Sequence, residues 1–159
     1  MKPTVLALVL AISGFACAQS SAPPEGKPTP AASAPSHAAA EPEICEAVFR
    51  YQFDHNASGM QKRAEKFCLE LPGERSPDAA FLHRFEGNQP PVLSADQCER
   101  KAGKSLYFRI MKLQWIKDSE VWVRGGYWEG NLSSSIESYR VVFENGKWAV
   151  KGARMHAIS

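Results

Sequence analysis

The chain has 159 residues, 44% of them hydrophobic, and a formal net charge of +2. That length accommodates one domain with a sizeable core. The basic residues are scattered along the sequence, which argues against a nucleic-acid partner and against a surface built for anionic lipid.

Residues 1–18 read as a secretory signal. Lys2 gives the positive end, residues 5–12 the apolar run, and Ala16-Cys17-Ala18 the small residues of a cleavage site. The run is shorter than the ~20 apolar residues that a bilayer span takes. Two cuts stay open. Cleavage after Ala18 releases a soluble chain starting at Gln19. A lipoprotein signal of residues 1–16 instead leaves Cys17 for acylation, and a lipid on Cys17 is then the only membrane link expected. The first cut leaves a periplasmic or secreted protein, and the second a protein anchored to the outer membrane. Residues 19–42 are mostly Ala, Pro, Ser and Glu. Such a segment buries too little surface to fold and serves as a disordered, semi-extended linker.

Residues 43–159 are expected to form a single α+β domain. Without Lys2 and Lys27, and without Glu25 and Glu41, it holds seventeen Lys and Arg against fifteen Asp and Glu. A helix is predicted over residues 43–55, after Pro42 and before the breaker Asn56-Ala57-Ser58-Gly59. Cys45, Phe49 and Phe53 form one row of it, so Cys45 reads as a small buried hydrophobe. "RAEKFCLEL" fits a helix or a strand, and the alternation of Phe67, Leu69 and Leu71 favours a strand. A short helix follows, with Ser76 as cap, Pro77 at its first position and Gly87 closing it. Ser94 and Gln97 have capping-box spacing.

From Ser105 the period changes to two. The apolar phase slips between Ile110 and Leu113, which predicts a bulge near Ile110. Further strands are predicted over residues 121–129 and 138–144. Asn145-Gly146 then suits a two-residue type I′ turn. That turn sets Glu144 opposite Lys147, Phe143 opposite Trp148 and Val141 opposite Val150. Arg140 and Lys151 then join Glu144 and Lys147 on the polar face. The expected architecture is therefore an N-terminal helix and a short helix on a curved antiparallel sheet of at least four strands. Cystatin-like and nuclear-transport-factor-2-like cones have this order. Cys68 and Cys98 are left to pair, closing a loop worth roughly 3–4 kcal/mol on the chain-entropy model.

"AVFRYQFDHN", "PPVL", "GGYWEGNLSSS" and "RMHAIS" resemble a group of small exported bacterial proteins without an assigned activity. The chain departs from that pattern at Trp128, where Tyr is expected, and at Ala157, where Trp is. The resemblance implies an exported single domain and no particular chemistry.

The stretch "RGGYWEGNLSSS" holds the residues most able to carry function. Gly125 and Gly126 in mid-strand mark a bend, or a close approach by a backbone or a ligand. Tyr127 and Glu129 share a strand face, and a phenol beside a carboxylate of raised pKa suits proton transfer next to a carbonyl. The structural reading is that the glycines allow coiling, Tyr127 fills a core and Glu129 opens a loop. His156, in the final strand, is the other candidate base and reads more simply as structural. Trp122 and Trp128 share the opposite face with Arg124 between them. Outward, they would bind a protein or a glycan; the simpler reading packs them beneath a helix. No cofactor is expected, and neither C-x-x-C nor H-x-x-x-H occurs to hold a metal. A non-enzymatic module that binds an envelope protein or a small ligand is therefore preferred. The alternative is a small cone-fold isomerase or dehydratase using Glu129 or His156 with Tyr127. Intact mass of the mature chain separates the two cuts: an N-terminus at Gln19 supports the soluble form, and acylated Cys17 the anchored one.

Overall fold

The structure is a computed structural model that describes residues 35–99, 104–130 and 133–158. The signal, Cys17 and most of the linker lie outside the described residues. Helix α1 spans His37–His55, followed by β1 (Lys66–Glu70), α2 (Ala79–His83) and β2 (Val92–Ser94). A single 3₁₀ turn at Ala95–Gln97 leads on to β3 (Ser105–Lys117), β4 (Glu120–Trp128), β5 (Ser135–Glu144) and β6 (Lys147–Ile158). All six strands join one sheet in the order β2-β1-β3-β4-β5-β6.

The fold is α+β, with helices packed on a sheet. The expected antiparallel run of at least four strands is present as β3 to β6, within a sheet that is mixed overall. Strands β3 to β6 are antiparallel neighbours, but β1 runs parallel to both β2 and β3. A parallel pair needs a long crossover, and the segment carrying α2 supplies it between β1 and β2.

α1 begins at His37 rather than Glu43, so its first turns occupy what composition assigns to the linker. Pro42 sits inside the helix and removes one backbone hydrogen bond. Tertiary contacts offset that loss. The His37 ring stacks on Trp115 at 3.7 Å between centroids, and its Nε2 lies 3.1 Å from Asp118. Trp115 in turn meets Trp148 edge-on, and Trp148 packs on Phe143. Ala40, Ile44, Val48 and Gln52 form one buried row of α1, and Cys45, Phe49 and Phe53 a second. Both rows face Leu106, Phe108, Val121, Val123, Tyr139 and Val141 of the sheet.

α2 is capped by Asp78, which accepts a 2.8 Å bond from the Phe81 amide, and not by Ser76. Gly87 does adopt the left-handed φ of +80° that ends the segment. The capping box at Ser94 is absent too: the Ser94 hydroxyl donates to Asp96 and holds that carboxyl below its ordinary range. Phe81 and Phe85 of the α2 segment pack on Phe49 and Phe53, so α2 covers the same sheet face as α1.

The bulge near Ile110 is present. Ile110 pairs with Gly125 but Lys112 pairs with Arg124, leaving Met111 as the extra residue. The Asn145-Gly146 hairpin has both residues at positive φ and the expected pairs Glu144–Lys147, Phe143–Trp148 and Val141–Val150. Beyond them the expected register fails. A second bulge makes Gly152, not Lys151, the partner of Arg140, and Lys151 swings to an ion pair with Glu144.

A Cβ on Gly126 would lie 2.0 Å from the Ser135 carbonyl oxygen, and one on Gly125 would lie 2.5 Å from that of Arg109. The two glycines therefore let neighbouring backbone approach, and no ligand is needed to explain them. Gly126→Ala is expected to cost more than about 4 kcal/mol, because the blocking atom belongs to backbone. Urea unfolding of the mature domain measures it, with Gly152→Ala, where the added carbon meets nothing within 4 Å, as the mild comparison.

Candidate functional site

Tyr127 and Glu129 point to the helix-covered side, and both are buried, at 1% and 6% exposure. Both side chains have hydrogen-bond partners there. The Tyr127 hydroxyl lies 3.1 Å from Ser133 Oγ. Glu129 accepts hydrogen bonds from the Ser58 hydroxyl and, at 3.2 Å, from the Met60 amide. Asn56, just past α1, donates to the Gln52 carbonyl at 2.7 Å and accepts from the Ser58 amide at 3.0 Å. The breaker segment thus ties the end of α1 to the end of β4 through Glu129. Residue types hint at a turn there, but nothing in their spacing announces the partner.

Gln52 anchors the middle of α1 in the same way. Its Nε2 donates to the Tyr139 hydroxyl at 3.1 Å and reaches the Gly126 carbonyl at 3.5 Å. Burial pushes the Tyr139 phenol well above its ordinary range, the Gln52 bond offsets part of that, and the charge of Glu137 adds to it. Tyr139 therefore stays protonated. Glu137, also buried, accepts from the Ser135 hydroxyl at 2.9 Å.

His156 is not part of this group. It is exposed at a third bulge, in β6, and its Nε2 lies 2.8 Å from Ser138 Oγ. In the sheet Ser138 pairs with Arg124 and Arg154, which places it on the face opposite Tyr127. The structure separates His156 from Tyr127 and Glu129 by the thickness of the sheet.

Trp122, Arg124 and Trp128 lie on that outer face, away from α1 and α2. This corrects the reading that packs both tryptophans beneath a helix. Trp128 meets Tyr107 edge-on at 5.1 Å, beside the Cys68–Cys98 disulfide, in a small cluster of its own. The Tyr107 hydroxyl donates to the Cys98 carbonyl at 3.1 Å. Glu70, Tyr107, Phe108, Arg109 and Trp128 border a cleft of about 340 Å³ there. Trp122 is half-buried, in register between Gln114 and Arg140. Arg140 binds Glu120 at 2.7 Å and holds that carboxyl below its ordinary range.

Cys45 is a free thiol, 1% exposed, and burial pushes its pKa up to about 12. Among the described residues, no group of three His, Cys, Asp or Glu could hold a metal ion. Among them also, no helix is long and apolar enough to cross a membrane. No protein-family model matches the chain, no curated protein matches it, and no solved structure matches it.

Two outcomes follow from this geometry. Glu129→Ala strands the Ser58 hydroxyl and leaves the Met60 amide only its 3.0 Å bond to Ser58 Oγ, and is expected to cost about 1–3 kcal/mol in denaturant unfolding. Cys45 is expected to resist iodoacetamide at pH 8 in the folded protein and to react promptly in urea, because only the thiolate attacks; mass spectrometry counts the adducts.

Proposed function

We propose that the protein is an exported bacterial envelope module that binds its partner without catalysis, through the outer face of its sheet. The observation that carries this reading is the division between the faces. On the helix-covered side the Gln52 amide nitrogen holds α1, and Glu129 holds the α1–β1 loop. On the other side Arg124 is exposed, with Trp122 and Trp128 half-buried beside it. Flat aromatic rings beside a fixed cation suit a partner that offers both apolar and polar groups.

Export to the periplasm or the medium is supported by the N-terminal signal pattern. The disulfide fits that route, since thiols in the cytosol are kept reduced. Anchoring through Cys17 belongs to the same proposal, with the Pro-rich segment as tether. An isomerase or dehydratase has less support. Glu129 and Tyr127 are buried, with hydrogen-bond partners in Ser58, Met60 and Ser133, and His156 faces the other way.

Photo-crosslinking in cells producing the full precursor tests the reading. Benzoylphenylalanine replaces Gln114, on the open face, or Lys62, in the loop after α1. Adducts from Gln114 alone are the expected outcome. No adduct from Gln114, or equal adducts from both, overturns it.

A further inference from the structure

The basic residues are scattered in sequence, but the register gathers three of them. Lys112 of β3 pairs with Arg124 of β4, Arg124 with Ser138 of β5, and Ser138 with Arg154 of β6. Lys112, Arg124, Ser138 and Arg154 thus form one row across four adjacent strands, on the face away from the helices. Neighbouring strands lie ~4.8 Å apart, so the row spans roughly 14 Å. All three cations are exposed, and His156 adds its imidazole to the row through Ser138.

None of the three has a carboxylate partner among the described residues. Their neighbours on this face do: Arg140 binds Glu120, and Lys151 binds Glu144. Like charges directly opposite across a ladder are destabilising, so the Lys112–Arg124 pair works against the fold. Both outer members of the row reach it through bulges. Without the extra Met111 the partner of Arg124 would be Met111 itself, and without the extra Lys151 the partner of Ser138 would be Ala153. Each bulge moves a cation that would otherwise point to the core onto this face.

We infer that this row, flanked by Trp122 and by the Trp128–Tyr107 cleft, binds a linear acidic polysaccharide. This deepens the open-face reading above and rests on it. Cations set in line, one and then two strand spacings apart, match anionic groups repeated along a chain, and half-buried aromatic rings beside them offer flat apolar surface to sugar rings. A membrane surface fits less well. Among the described residues the exposed large hydrophobics are Ile116, Met155 and Ile158. Met155 faces the helix side through its pairing with Glu137, and Ile116 is the extra residue of a bulge near the end of β3. No apolar anchor projects from the middle of the row.

Titration calorimetry of the mature domain with hexagalacturonate tests the inference, with maltohexaose as neutral control and phosphatidylglycerol vesicles as the lipid arm. Binding of hexagalacturonate alone, weakening as salt rises, is expected. The triple variant Lys112→Gln, Arg124→Gln, Arg154→Gln removes the like-charge repulsion, so it should fold at least as stably and bind about tenfold more weakly or worse. Lys147→Gln, at the hairpin tip, should bind as the parent does. No binding of hexagalacturonate, or equal binding by the triple variant, overturns the inference. Binding to vesicles in its place overturns the ligand class and leaves the open-face reading standing. If Gln114 crosslinking fails as well, that reading falls too.

Discussion

The single extra residue at Met111 decides what each side of the molecule is made of. Side chains alternate along a strand, so one inserted residue exchanges the faces of everything after it. Before the bulge Leu106, Phe108 and Ile110 point to α1. After it Leu113 and Trp115 do, while Lys112 and Gln114 turn outward. The docking of α1 follows from the same step, because Trp115 is the ring on which His37 stacks. Opposite the bulge stand Gly125 and Gly126, which have no Cβ to collide with the carbonyls of Arg109 and Ser135. Bulge and glycines are two halves of one bend.

The inner face is apolar with a polar seam. Gln52 interrupts an otherwise apolar helix row and Glu129 follows β4 into the core, yet the Gln52 Nε2 donates to the sheet and Glu129 accepts from the loop after α1, while Gln52 Oε1 has no partner among the described residues. A buried polar group is costly unless it is satisfied, so such bonds penalise any helix position that would break them. Apolar packing alone tolerates sliding. Gln52 on Tyr139 and Ser58 on Glu129 fix where α1 lies along the sheet, at both its middle and its end.

Much of the fold was legible in the sequence because its signals are local. Alternation, the phase slip at Ile110 and the Asn145-Gly146 turn each act within a few residues, and each is found where those residues placed it. The Cys68–Cys98 pair followed from the character of Cys45 as a buried hydrophobe. What the sequence hid depends on partners far along the chain. Pro42 read as a stop because the stacking of His37 on Trp115 has no local signature. The parallel joining of β1 to β3 was likewise invisible, since a run of five residues does not reveal its neighbours. The second bulge, at Lys151, shows only as the change of phase from Trp148 and Val150 to Ala153 and Met155, a weak signal because those last residues lie exposed in the edge strand β6.

That hidden bulge changes the charge pattern most. In sequence Lys112, Arg124 and Arg154 look like ordinary solvated cations, and composition rightly finds no basic tract. Whether they act together depends on the parity of two strands, and parity is set by one residue in each. A sheet face folded for stability alone would set opposite signs beside each other across its ladders, as Glu120 diagonal to Arg140 and Glu144 opposite Lys147 do. The Lys112–Arg124–Arg154 row breaks that rule on the same face and within one or two pairings of where it is obeyed. Local violations of an otherwise consistent pattern tend to fall where a protein meets something else. An anion laid along the row would turn the repulsion into attraction, which is the physical reason for assigning the face to binding.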